Sequence, residues 1–152
     1  MKKILLVPFA ILLFSCNSTK KTAESSEKPM TEQKNTSSKM FTVLSESSYQ
    51  GKESKSYEVI KDSNALAKLY ESVNDEMVPK VDFKKERIVA LFLGQKNSGG
   101  YAVKVKEVSE KGDEIYVTVE EISPKAGENA TMAITNPYTI VKINSTKEIV
   151  FK

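Results

Sequence analysis

Six consecutive apolar residues, Ile88-Val89-Ala90-Leu91-Phe92-Leu93, run straight into Gly94. The segment is short for a helix and rich in β-branched and aromatic side chains, which favours a strand. A strand with one wet face alternates polar and apolar residues; a strand that does not alternate needs cover on both faces. The run therefore predicts a central strand with protein packed on each side of it. Ahead of it, Asp62-Ser63 offers an N-cap, and Leu66, Leu69, Tyr70 and Val73 recur at i, i+3, i+4 and i+7. That spacing predicts one amphipathic helix over 62–74, with Lys68 and Glu71 on its wet side and Leu66 and Leu69 laid on the apolar strand. Pro79 closes the region.

The other segments are strand-like. Phe41–Leu44 and Tyr57–Ile60 read as two strands. Tyr101, Val103 and Val105 alternate with Ala102, Lys104 and Lys106; Ile115, Val117 and Val119 alternate with Tyr116, Thr118 and Glu120. Lys111-Gly112-Asp113 between them is a hairpin signal. Thr139, Val141 and Ile143 alternate again, and Asn144-Ser145-Thr146 turns the chain toward Ile149-Val150-Phe151. Between Pro124 and Pro137 the pattern is irregular, with brief pairing expected at Met132–Thr135. The expected fold is mainly β (α+β): a small antiparallel sheet or sandwich of about six to seven strands with one packed amphipathic helix. It occupies 41–152 as a single domain, enough chain to bury about two-thirds of its unfolded surface.

The segment before this domain has another character. Lys2-Lys3 precede an apolar run from Ile4 to Phe14, which ends in Leu13-Phe14-Ser15-Cys16. The run has the length of a signal-peptide core and is too short to span a bilayer. Leu at −3 and Ser at −1 of the only cysteine resemble a bacterial lipobox. Residues 1–15 are thus expected to be a lipoprotein signal peptide, and Cys16 the lipidated first residue of the mature chain. An acylated thiol is no nucleophile, redox centre or metal ligand, and no second cysteine exists to pair with it. Residues 17–40 carry nine Ser/Thr and almost no apolar side chains, so they cannot offset the entropy of ordering. They read as a flexible tether of roughly 25–30 Å. Asn17-Ser18-Thr19-Lys20-Lys21 lacks an aspartate at +2 and an acidic run. The expected location is the bacterial cell envelope, at the outer membrane facing the periplasm, with the cell surface as the alternative.

Charge and chemistry narrow the function. The whole chain is +3. Lys2 and Lys3 carry part of that; residues 17–40 hold five Lys and three Glu, and residues 41–152 hold 16 Lys/Arg and 17 Asp/Glu. The domain is near neutral with mixed signs, which argues against a nucleic-acid surface. The absence of histidine removes Ser-His-Asp and Cys-His nucleophile systems and His-based metal sites. Glu120 and Glu121 are strand neighbours on opposite faces and cannot share a site. Asp75-Glu76 and Asp113-Glu114 sit near turns and read as solvated pairs. No calcium-loop pattern occurs. The reading is therefore not an enzyme, with no cofactor and no metal. Gly94-Gln95-Lys96-Asn97-Ser98-Gly99-Gly100 is not a phosphate loop, because a strand follows it rather than a helix. It is either a plain link between strands or a recognition loop of the kind rigid strands often carry.

Pro79-x-Val81-Asp82-Phe83, Ile88 to Gly94, Asn97-Ser98-Gly99-Gly100-Tyr101 and Pro137-Tyr138 together resemble the C-terminal domain of the protease complex subunit PrcB family, over about residues 79–143. Members of that family are often lipoproteins. The resemblance implies a non-enzymatic accessory role: a membrane-anchored module that binds and stabilises a protein partner, a protease in the founding case. The contact residues read from the loop itself are Asn97, Ser98, Gly99, Gly100 and Tyr101, with Tyr138 nearby; the alternative for Tyr101 is a side chain that begins a strand and packs inward. A looser likeness is to chagasin-type protease inhibitors, whose first recognition loop Ser98-Gly99-Gly100-Tyr101 resembles. Their tryptophan-bearing loop has no counterpart here.

Overall fold

A computed structural model describes residues 40–125, 127 and 131–152. The expected signal segment 1–15, Cys16 and the expected tether, up to residue 39, lie outside the described residues. The elements are β1 (Phe41–Ser47), β2 (Ser56–Ile60), α1 (Ser63–Ser72), β3 (Arg87–Phe92), β4 (Ala102–Lys111), β5 (Glu114–Ile122), β6 (Tyr138–Ile143) and β7 (Glu148–Phe151). Four strands form one sheet in the order β1-β6-β3-β2, and three form a second in the order β4-β5-β7.

The apolar run is the middle layer. Ile88, Ala90 and Phe92 of β3, with Tyr138 and Ile140 of β6, pack on Leu66, Leu69, Tyr70 and Val73. The alternate residues Val89, Leu91, Val141 and Ile143 pack on Val103, Val108, Ile115 and Val117 of the second sheet. All these β3 and β6 side chains are 3% exposed or less. Full burial of each Val, Leu or Ile contributes about 1.5–3 kcal/mol, so both faces are needed to make a domain this small stable. A buried hydroxyl joins the two sheets: Thr139 Oγ1 donates to the Val103 carbonyl at 2.6 Å.

β4 and β5 form the expected hairpin, with Gly112 in its turn at φ 61°. The register slips between Val105 and Glu107. Without that bulge, Val108 would fall on the opposite face from Val103 and Val105. With it, Val108 joins them in the core at 3% exposure.

One strand pair is parallel rather than antiparallel. β6 runs back toward the end where the chain enters at Met40, so the Asn144–Lys147 turn sends β7 the other way. β7 crosses to the second sheet and lies beside β5, with Glu114 opposite Glu148 and Val117 opposite Phe151. Tyr57 of β2 meets Phe151 at 5.5 Å between ring centroids, closing that side of the sandwich.

The helix is bounded by two local devices. Asp62 accepts from the Ala65 N–H at 2.8 Å, capping the start. At the other end Asn74 adopts φ 52°, the Asp75 N–H bonds the Tyr70 carbonyl, and the Asn74 N–H bonds that of Glu71. This left-handed stop ends the helix at Ser72, shorter than the expected 74. Asp75 then accepts from Ser45 Oγ at 3.1 Å, and Ser45 lies 2.9 Å from the Tyr138 hydroxyl. Ser45 has one proton and gives it to the carboxylate, so Tyr138 donates to Ser45. The chain of bonds ties the helix end to edge strand β1 and to β6. Burial, then Asp75 and Tyr138, push the neighbouring Tyr70 phenol up to about 12.

Asp62→Ala should lower unfolding stability by about 1 kcal/mol in urea titration, with an unchanged slope. An unaltered midpoint would show that the cap contributes nothing.

Candidate functional site

The strands end together. β1, β3, β5 and β7 run away from the Met40 end; β2, β4 and β6 run back. Three connections therefore meet at the far end: β1–β2 (residues 48–55), β3–β4 (93–101) and β5–β6 (123–137). Backbone hydrogen bonds join them. The Gly51 N–H donates to the Asn136 carbonyl, and the Asn136 N–H to that of Ser48, both at 2.8 Å. The Gln95 N–H reaches the Glu53 carbonyl at 2.9 Å. Lys96 and Thr135 exchange two bonds, at 2.8 and 2.9 Å, and the Gly99 N–H donates to the Thr131 carbonyl at 2.9 Å. The brief pairing expected over Met132–Thr135 is this bridge to Lys96.

Gly94 makes the close approach possible. It has φ 76°, and a Cβ there would lie 2.9 Å from the Lys55 backbone nitrogen. Any side chain would clash with backbone and also strain the left-handed conformation.

The six residues suggested by sequence divide. Asn97 and Gly100 are exposed. Ser98 is half-buried, its carbonyl accepting from Thr135 Oγ1 at 2.9 Å. Gly99 is buried, its N–H already used. Tyr101 is half-buried against the inter-sheet core, with the Lys96 ammonium 5.6 Å from its ring centroid. Tyr138 is 3% exposed and lies in the helix-side core, its ring 6.1 Å from that of Phe92. Cys16 lies outside the described residues.

Two residues that sequence reasoning did not single out stand out at this end. Met132 is 94% exposed and Ile134 63%. Between them, Ala133 is half-buried, and the next residue, Thr135, is 1% exposed. The segment thus alternates, and its fixed backbone turns Met132 and Ile134 outward. The only sequence signal was an apolar pair in a stretch too irregular for a strand.

The charged groups beside this end act as struts. Glu121 at the end of β5 binds Lys55 and accepts from the Tyr57 hydroxyl at 2.6 Å. The Lys55 hydrogen bond, then that of Tyr57, holds the Glu121 carboxyl below its ordinary 4.5; burial, then Glu121, pushes the Tyr57 phenol up. Next to the connections lies a cleft of about 230 Å³ between Glu46–Ser48, Ala102–Lys104 and Pro137–Thr139. Among the described residues no group of three or more His, Cys, Asp or Glu could hold a metal ion, and no helix is long and apolar enough to cross a membrane. The arrangement offers a rigid, mixed-polarity surface suited to recognition.

The class so defined is a mainly β domain layered as helix, sheet and sheet, with its crossover connections knit at one end. Residues 87–144 match the family model described as PrcB C-terminal, and over that stretch the chain is similar to that family. The match runs from β3 through β6 and takes in two of the three connections. No curated protein and no solved structure matches the chain.

Gly94→Ala should lower the thermal midpoint more than Gly112→Ala. Gly112 has φ 61°, but a Cβ there would meet nothing within 4 Å. The second substitution carries only the left-handed cost of about 1–2 kcal/mol; equal losses would show that close packing at Gly94 is unimportant. A depressed carboxyl contributes stability above its unfolded pKa and loses it as pH falls through the folded value. Glu121 should therefore support the fold at neutral pH and lose that support as the pH falls below the ordinary carboxylate range. Glu121→Gln should flatten the acid limb of a midpoint-versus-pH curve; an unchanged limb would contradict this.

Proposed function

We propose that this chain is a lipid-anchored, non-enzymatic accessory subunit of a protein complex in the bacterial cell envelope, a protease complex being the case that family suggests. The family match over 87–144 carries this reading, because it covers the strands that hold the connections. Cys16 and its lipobox-like context support the anchor. The far end of the domain, with Asn97, Gly100, Met132 and Ile134 exposed, is the surface offered to a partner at the outer membrane. Met132 and Ile134 would supply the apolar anchors and Asn97 a polar contact, on a surface whose rigidity reduces the ordering cost of binding.

The full chain, crosslinked in intact cells and affinity-purified, should bring down one dominant protein. Asn97→Arg with Met132→Asp should reduce its recovery about tenfold or more. The thermal midpoint should hold, because both side chains are exposed. Cys16→Ala should move the chain out of the membrane fraction. Loss of recovery only when the midpoint also falls would contradict a partner surface at this end, and membrane retention without Cys16 would contradict the anchor.

A second reading, protease inhibition of the chagasin type, is favoured by one observation: three connections converge at one end, as such an inhibitor needs. The purified chain at high micromolar concentration should then inhibit cysteine or serine proteases; a panel left unaffected would remove this reading.

A further inference from the structure

The chain contains 22 lysines and a single arginine, Arg87. Arginine differs from lysine in its planar fork of five N–H donors, which matches the oxygens of phosphate or carboxylate. Arg87 opens β3 at the Met40 end, opposite Ile143. Its Nη1 donates to the carbonyls of Phe83 at 2.6 Å and Glu86 at 2.9 Å. Those two bonds fix the guanidinium plane. They leave its Nε and Nη2 donors with no hydrogen bond among the described residues.

The same side chain lines a cleft of about 370 Å³ between the two sheets, shared with Lys61, Thr146, Lys147 and Glu148. The cations come from three separate elements: the end of β2, the start of β3 and the β6–β7 turn. Lys147 is held by Glu110 and the Gly112 carbonyl, each at 2.6 Å. Lys142, which shares this end of the sheet, is bonded to Glu86 at 2.8 Å. Two nearby carboxylates, Glu86 and Glu110, are thus already occupied by lysines, and Glu148 is the one carboxylate on the cleft wall. Of the cations that line the cleft, Arg87 and Lys61 have no ion-pair partner among the described residues.

We infer that this cleft binds a phosphate group, with the Arg87 fork taking two oxygens and Lys61 and the Thr146 hydroxyl completing the site. The cleft lies at the end of the domain where the chain enters, since Met40 bonds Asn144 two residues before Thr146. The phosphate of an anionic phospholipid headgroup is therefore one source and free phosphate the other. The lipid source rests on the anchored reading above; the phosphate chemistry does not.

A single arginine provides a unique probe. The full chain, extracted from membranes in a non-ionic detergent and labelled with nitrogen-15, gives one arginine Nε resonance. Inorganic phosphate should shift that resonance and the Thr146 amide together and saturably. Arg87→Lys should weaken binding about tenfold, because it keeps the charge and loses the fork. That variant also loses the Phe83 and Glu86 contacts, so Lys61→Ala provides a second test. Lys61 is exposed, and its removal should weaken phosphate several-fold with the midpoint unchanged.

The unacylated chain, Cys16→Ala, separates the sources. Binding to phosphatidylglycerol vesicles over phosphatidylcholine vesicles, with competition by phosphate, assigns the site to headgroups. Phosphate binding with no vesicle preference assigns it to free phosphate. No saturable shift, or a shift indifferent to both Arg87→Lys and Lys61→Ala, would overturn the inference. None of these results depends on whether a protein partner is captured at the far end.

Discussion

Everything in this domain depends on a sheet whose two central strands are buried on both faces along all but their Met40 end, where Arg87 and Lys142 reach solvent. β3 and β6 bury Ile88, Ala90, Phe92 and Ile140 against the helix, and Val89, Leu91, Val141 and Ile143 against the second sheet. A chain of this size without a disulfide must draw its stability from such burial. The same constraint sets the topology. The helix has to lie between β2 and β3 in sequence to cover one face, and β4, β5 and β7 have to leave the first sheet to cover the other. Each crossing between sheets needs a connection, and two of these crossings fall at the end far from Met40.

That end is where structure turns toward function. The β1–β2, β3–β4 and β5–β6 connections are irregular, yet their backbones are bonded to one another through Gly51, Gln95, Lys96, Gly99, Thr135 and Asn136. Loops held in this way can present side chains without first being ordered by a partner. The opposite end has a different chemistry, with Arg87 and Lys61 beside one cleft and lysine–glutamate pairs around it. The domain is thus polar in the literal sense: an apolar-tipped, hydrogen-bonded end and a cationic one, joined by antiparallel strands.

Much of this was legible in the residues. The unbroken run Ile88–Leu93 announced two covered faces, and the spacing of Leu66, Leu69, Tyr70 and Val73 announced what covers one of them. Asp62 marked the helix start and Gly112 the hairpin turn. What stayed hidden was set by distant parts of the chain. The parallel placement of β7 follows from which sheet the chain joins after Asn144, and no local pattern records that choice. Tyr138 looked like a neighbour of the Gly-Gly-Tyr loop; its position opposite Phe92 in β6 instead turns it toward the helix. The bulge near Lys106 is visible only once Val108 is seen to share a face with Val103. Met132 and Ile134 lie in a stretch without periodicity, and only the bridge of Lys96 to Thr135 shows that they are directed outward.

Amide hydrogen exchange at the far end, read residue by residue in the full chain, tests most directly whether the three connections form one preorganised surface. The amides of Gly51, Gln95, Lys96, Gly99, Thr135 and Asn136 each donate to a backbone carbonyl of another connection or its edge. They should exchange far more slowly than the exposed amides of Asn97 and Gly100, and should deprotect together when Gly94→Ala is introduced. Exchange of all of them at the rate of free peptide would mean that the connections move independently, and the case for a rigid recognition surface at this end would fall.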